Sequence, residues 1–345
     1  MIILFVVSRY RSSGGHENVM DNLALGLHRL GHEVAIGAYC FERPPPDGIP
    51  ALKLNRSGKI PKFLDSKKDI DIIHNHHGKM NYYSIFSSKP FIFHYHGASD
   101  KLQELNLRLS LFLCRKRISK IICVSNFALS HIREVAGSPS FAIPSEVIYN
   151  GVDSNFYRTN LPKKYKIGYP QLLFVGNLYK YKNVAKIIEE LPQIRKSFQD
   201  ASFQIVGRGT EYEPLKDLIY RKGFDNFIQL LGAVSDEELR LIYSSCDLYV
   251  SASGYEAVGM PLMEAMACGK PLLVSDIPGH KELLSASHGG IMFSLEDRSA
   301  IEKGIITVLN HSGELAVNAR KFAEENDWYY VCKKISKTYD EIVSN

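Results

Sequence analysis

The chain has 345 residues, 45% of them hydrophobic and 23% charged, the composition of an ordinary globular protein long enough for two cores. No run reaches the roughly 18 apolar residues of a membrane span, and Met1–Val7 lacks the basic start and cleavage site of an export signal, so the protein is expected to remain in the cytoplasm. Six scattered cysteines without a Cys-x-x-Cys pair indicate neither a disulfide framework nor a zinc site. The formal charge of +5 is uneven, because residues 1–160 hold 20 basic and 13 acidic side chains and so carry the positive field.

Strand-like apolar runs alternate with helical segments from end to end, the pattern of parallel sheets in an α/β architecture. In the first half strands are predicted at Ile2–Ser8, Glu33–Ala38, Ile70–His74, Pro90–His94, Lys120–Val124 and Glu146–Ile148, with Glu17–Leu30 and Leu102–Arg117 among the intervening helices. Pro44-Pro45-Pro46-Asp47-Gly48 suits neither helix nor central strand and reads as a surface loop. The polar, proline-containing run Arg158–Tyr165 reads as a linker. Strands at Gln171–Val175, Ser202–Val206, Phe227–Leu231, Leu248–Val250 and Pro271–Ser275 then form a second Rossmann-like repeat, and Trp328–Val343 reads as a closing helix. The expected domains are residues 1–158 and 159–325, followed by the helix in 326–345.

Residues suited to chemistry gather where these strands end. Arg9–Glu17 is a basic loop in which Gly14 and Gly15 precede a helix; glycine lets backbone approach a ligand, and helix amides favour an anion. The third glycine of a dinucleotide fingerprint is absent. His74-Asn75-His76-His77 and His94-Tyr95-His96-Gly97 end two strands on the side of a parallel sheet that lines a ligand crevice. No carboxylate or cysteine completes a metal-ligand set around His74, His76 and His77, which read as polar residues capping strand ends. In the second half, Gly176-Asn177 with Lys182, Gly207-Arg208-Gly209 and Gly232-Ala233-Val234 follow three strands. Within Gly254–Pro271, Glu256 and Glu264 flank a tight turn, and the amides around Val258, Gly259 and Met260 open an apolar helix. One acid can hold hydroxyls while the amides hold phosphate, as a sugar nucleotide requires.

Glu256, Gly259, the run Glu264–Pro271 and Asp276-Ile277-Pro278-Gly279 together resemble the signature of the retaining GT-B glycosyltransferases of family 4. The resemblance implies two Rossmann-like domains with parallel sheets facing across a cleft, the first on the acceptor side and the second binding the donor. It also implies a C-terminal helix that crosses back to the first domain. Residue roles follow from the same likeness. Glu264 is expected to hold the ribose hydroxyls, Glu256 the hydroxyls of the donor sugar, and Ala257 to Met260 the phosphate or sugar through backbone amides. Gly14 and Gly15 resemble the family's first glycine loop, and His96 its active-site histidine near the reacting carbon. Arg208 and Val234 stand in turns that resemble those beside the nucleotide. The family usually grips the donor diphosphate with an arginine and, five residues on, a lysine. Lys182 meets the second requirement, but Asn177 occupies the arginine position and removes one fixed charge.

These likenesses imply a metal-independent hexosyltransferase without a cofactor, using a UDP- or GDP-sugar. The acceptor stays open between a lipid-linked glycan and a soluble sugar or polysaccharide precursor. Leu102–Lys120 combines leucines with Arg108, Arg115, Lys116 and Arg117, which suits both packing on the first sheet and peripheral contact with the inner face of a membrane. A nucleotide-sugar epimerase of the same fold and a non-catalytic nucleotide- or glycan-binding relative also stay open. The basic residues lack interleaved aromatics, so no nucleic-acid partner is expected.

Overall fold

The apolar runs of the sequence become parallel strands buried on both faces, which forces helices onto each side of the sheet. The computed structural model describes residues 1–11, 15–54, 70–97, 101–137, 142–297 and 299–344, so Gly14 lies outside the described residues. Two compact units emerge: Met1–Gly151 with the segment from Trp328 onward, and Val152–Asp327.

The strands are β1 Ile2–Val7, β2 Glu33–Ala38, β3 Ala51–Lys53, β4 Ile72–Asn75, β5 Phe91–Tyr95, β6 Ile118–Cys123 and β7 Ser145–Val147 in the first unit. The second has β8 Gln171–Val175, β9 Ser202–Val206, β10 Ile228–Gly232, β11 Leu248–Ser251, β12 Leu272–Ser275 and β13 Gly290–Phe293. The helices are α1 Gly15–Arg29, α2 Lys101–Cys114, α3 Asn126–Ala136, α4 Val184–Ser197, α5 Tyr212–Lys222, α6 Asp236–Ser245, α7 Met260–Ala267, α8 Pro278–Ser287, α9 Ala300–Asn310, α10 Ser312–Glu325 and α11 Trp328–Val343. Among the described residues the sheets run β3-β2-β1-β4-β5-β6-β7 and β10-β9-β8-β11-β12-β13. In each, the strand that opens the unit lies inside the sheet and the order reverses beside it, between β1 and β4 and between β8 and β11. Such a reversal leaves a crevice beyond the carboxyl ends of the strands.

Two strands escape the sequence reading, for physical reasons. β3 is a short edge strand with little apolar character, and β13 starts at Gly290, where a Cβ would come within 2.4 Å of the Leu272 carbonyl oxygen. Arg158–Tyr165 is folded onto the second unit rather than spanning free. Its Tyr165 N–H donates to Ser245 Oγ at 2.9 Å, and the Tyr165 carbonyl accepts from Gln171 and Gln204.

The closing helix α11 returns to the first unit and buries Trp328, Val331, Cys332, Ile335, Thr338 and Tyr339 along one face. It packs against α1 so tightly that a Cβ on Gly26 would meet Cys332 Sγ at 2.3 Å, and Gly151 makes room for the Trp328 ring in the same way. His32 and Ser336 add a hydrogen bond of 2.8 Å across this contact. Among the described residues no helix is long and apolar enough to cross a membrane.

Candidate active site

Where the order of the second sheet reverses, two loops are tied to one another. The Gly254 N–H donates to the Tyr181 carbonyl at 2.7 Å, and Asn183 Nδ2 donates to the Ala252 carbonyl at 3.0 Å. Asn183 takes the left-handed conformation, φ 51°, to end the single 3-10 turn Lys180–Lys182. These ties bring the Lys182 ammonium onto Glu256 Oε1 in a largely buried ion pair.

The turn after β12 seats the same loop from the other side. Ser275 Oγ donates to the Ser253 carbonyl at 2.5 Å, and His280 Nδ1 bonds the Ser275 carbonyl at 2.9 Å. Gly279 lies so close to the Glu256 backbone that a Cβ would fall 2.0 Å from its carbonyl oxygen. The segment Asp276–Gly279 therefore holds Glu256 in place.

Gly259 caps α7, and its Cα faces the Glu256 carboxylate, 3.4 Å from where a Cβ would stand. Pro261 has no N–H to leave unpaired, and the amides of Leu262 and Met263 turn back to the Gly259 carbonyl. The amides of Val258, Gly259 and Met260 stand at the mouth of the helix, where its dipole is positive. Ala257 is buried and Val258 packs against the core formed by α6, α7 and β8. Glu264, one turn into α7, accepts the Tyr243 O–H at 2.8 Å. Burial raises its carboxyl to about 7 despite that bond, with Asp236 adding to the rise.

Asn177, Arg208 and Val234 occupy the loops after β8, β9 and β10, three neighbouring strands of the same sheet. Asn177 and Arg208 are exposed, and the Arg208 guanidinium lies over the Tyr212 ring. Val234 packs on the core of the unit. The glycines around Arg208 serve the chain itself: a Cβ on Gly207 would meet the Gly176 carbonyl oxygen at 1.9 Å, and one on Gly209 the Leu178 carbonyl oxygen at 2.3 Å. The loop after β9 thus braces the loop that carries Asn177.

In the first unit the strand-end histidines form an array. His74 and His76 of β4 and its end alternate toward one face of the sheet, as do His94 and His96 at the end of β5. Their rings stack at 4.5–5.3 Å, His94 on His96 at 4.5 Å and His74 on His76 at 4.7 Å. Tyr339 Oη of α11 lies 2.5 Å from His74 Nδ1, His74 Nε2 lies 3.1 Å from His94 Nδ1, and His76 Nδ1 lies 3.1 Å from His96 Nε2. Burial holds His74, His76 and His96 well below the ordinary imidazole range and His94 at about 3, with neighbouring imidazoles adding to the effect. All four are neutral at pH 7.

The grouping differs from the sequence expectation. His77 turns away to Ser8 Oγ at 2.8 Å, and His94 joins His74 and His76 instead. These three are buried within the sheet face and do more than cap strand ends. The three offer ring nitrogens within 4.8 Å of one another, while both His74 nitrogens already face partners, Tyr339 and His94. Among the described residues, the buried Nε2 atoms of His76 and His94 have no hydrogen-bond partner. Gly15 opens α1, and among the described residues nothing lies within 4 Å of where its Cβ would stand.

The sequence reading missed Asn183, Tyr243, Ser275, His280 and Tyr339. Asn183 and His280 adjoin motifs and were within reach of inspection. Tyr243 and Tyr339 sit 21 and 265 residues from their partners, and only the folded chain joins them.

Residues 158–326 match the family described as Glycosyl transferases group 1, and residues 13–156 match Glycosyltransferase Family 4. The chain is 26% identical to an uncharacterized glycosyltransferase of Methanocaldococcus jannaschii, covering 95% of each chain. It is 27% identical to a phosphatidyl-myo-inositol mannosyltransferase of Mycobacterium leprae, covering 80% of this chain and 75% of that one. Among solved structures it is similar to Anabaena Alr3699/HepE in complex with UDP, with a TM-score of 0.82, 22% identity and coverage of 99% of this chain and 100% of that one.

Proposed function

We propose, because this chain belongs to glycosyltransferase family 4 and has the GT-B fold, that it moves a sugar from a UDP- or GDP-sugar to an acceptor hydroxyl with retention of configuration and without a metal ion. The observation that carries this reading is the Lys182–Glu256 pair beside the mouth of α7. In the reaction the bond from the anomeric carbon to the diphosphate breaks, and its electron pair goes to the diphosphate. Lys182 and the α7 amides meet the charge that grows there. Glu256 takes the sugar hydroxyls and Glu264 the ribose hydroxyls. His96, neutral, supports charge at the reacting carbon, and the acceptor oxygen attacks from the face the diphosphate leaves, passing its proton to the departing diphosphate, so no protein nucleophile is required.

Asn177 offers only a neutral hydrogen bond, and Arg208 on the next loop supplies a second cation. The acceptor is a lipid-linked or cell-surface glycan, reached in the cytoplasm at the inner face of the membrane. The relative named for a phosphatidyl-myo-inositol acceptor supports this choice.

Incubation with a panel of UDP-, GDP- and ADP-sugars tests the reading. Transfer, or slow hydrolysis of one donor, is the expected result. An isomerised sugar nucleotide would make the protein an epimerase, and saturable binding without turnover would make it a binding relative; either outcome sinks the proposal.

A further inference from the structure

Helix α2 is apolar on two opposite faces, and the protein covers one of them. Leu107, Ser110, Leu111 and Cys114 are buried on the side of α2 that packs against α3 and the 3-10 stretch Gly78–Phe86, where Asn75, Asn81 and Ser110 are linked by hydrogen bonds of 2.7 and 3.1 Å. At about 100° per residue, Leu102, Leu105, Leu109, Phe112 and Leu113 point to the opposite side. They are 67, 63, 51, 64 and 51% exposed, and Phe86, on the 3-10 stretch packed beside α2, is 56% exposed. Single exposed leucines are ordinary, but a stripe of five with a neighbouring phenylalanine marks a surface that something covers.

The charges around the stripe say what covers it. Lys101, Arg108, Arg115, Lys116 and Arg117 are all exposed, and the Arg115 guanidinium lies over the Phe112 ring at 5.1 Å. Glu104, the acid of this helix, is turned to His131 Nε2 at 3.2 Å, away from the stripe. An apolar stripe flanked by cations matches a layer of hydrocarbon beneath anionic headgroups. Two copies of the same face would set cations against cations. We propose that the outer face of α2 docks on an anionic lipid bilayer, with Leu105, Leu109 and Phe112 in the acyl boundary and Arg115 and Lys116 at the level of the phosphates.

This docking deepens the reading of a transferase with a lipid-borne acceptor and rests on it for its purpose. Its test needs neither donor nor acceptor, so its failure and a failure of transfer are separate results. The full chain is sedimented with phosphatidylglycerol–phosphatidylcholine vesicles and with phosphatidylcholine alone, at low and high salt. Binding to the anionic vesicles, weakened by salt, is expected. Leu109→Gln with Phe112→Gln should lower it about tenfold or more with an unchanged circular dichroism spectrum, since both side chains leave water only on docking. Arg115→Gln with Lys116→Gln should lower the preference for anionic vesicles about thirtyfold, from about 1 kcal/mol per cation. Absence of binding at low salt, or binding indifferent to Leu109→Gln with Phe112→Gln, overturns the proposal. So does a concentration-dependent dimer that the same pair abolishes without vesicle binding, which would assign the face to a second copy of the chain.

Discussion

Lys182 is paired with Glu256, and the two side chains hold each other in a place where neither is well solvated. In the proposed reaction a diphosphate would take over the lysine, and sugar hydroxyls the carboxylate. Because charge on the leaving group is greatest in the transition state, Lys182→Ala should lower kcat by about 100-fold or more and change donor affinity much less. Steady-state kinetics with separate kcat and KM would check this, and an unchanged kcat would remove Lys182 from the reaction. Glu264 gives a second handle. Its carboxyl, raised to about 7 by burial, is half protonated near neutrality, and ribose hydroxyls that donate to it favour the charged form. Nucleotide binding at pH 6.5 should therefore release protons, seen by calorimetry as a binding enthalpy that varies with the ionisation heat of the buffer. Buffer-independent enthalpy would sever Glu264 from the nucleotide. Glu256 and Glu264 could be singled out from spacing and turn chemistry alone. Tyr243, which holds Glu264, could not, since nothing local to α6 signals that its phenol reaches α7.

At the scale of the element, α11 was legible from its 3.6-residue apolar period, whereas the close approach that lets it dock on α1 was not. Gly26 looks like a poor helix residue until Cys332 is seen against it. Gly26→Ala should cost about 1–3 kcal/mol through overpacking, more than the helix propensity it gains. Thermal melts of Gly26→Ala, Cys332→Ala and the double variant should show the loss relieved in the double; additive losses would place the strain elsewhere. The same contrast separates long strands from short ones. β1 and, after Gln171, β8 are written in unbroken apolar runs, while β3 and β13, three and four residues long, are too short to be read without their neighbours.

For the whole molecule, the histidine array makes stability depend on acidity. An unfolded chain protonates these imidazoles below about pH 6.5, while the folded chain keeps them neutral, His94 down to about 3. Protons therefore bind the unfolded state preferentially in that window, and stability falls as pH falls, by about 2 kcal/mol per histidine between pH 6.5 and 5. Melts at pH 7 and pH 5 should show the drop, and His94→Asn, which does not titrate, should make it smaller; an equal drop in the variant would acquit His94. The two-sheet architecture was apparent from the alternation of strands and helices. The array was not, because histidine pairs in a sequence do not reveal which face of a sheet they share.

That array also constrains how the chain can change length. His74 pairs in register with Ile92 and Asn75 with Phe93; His74 meets Tyr339, and the adjacent Asn75 meets Asn81 on the other side. Inserting one residue ahead of His74 would reverse this parity, sending its imidazole among Asn81 and Ser110 and leaving the Tyr339 phenol without its partner. Two inserted residues would preserve it. Insertions and deletions within these two strands should thus be tolerated only in pairs.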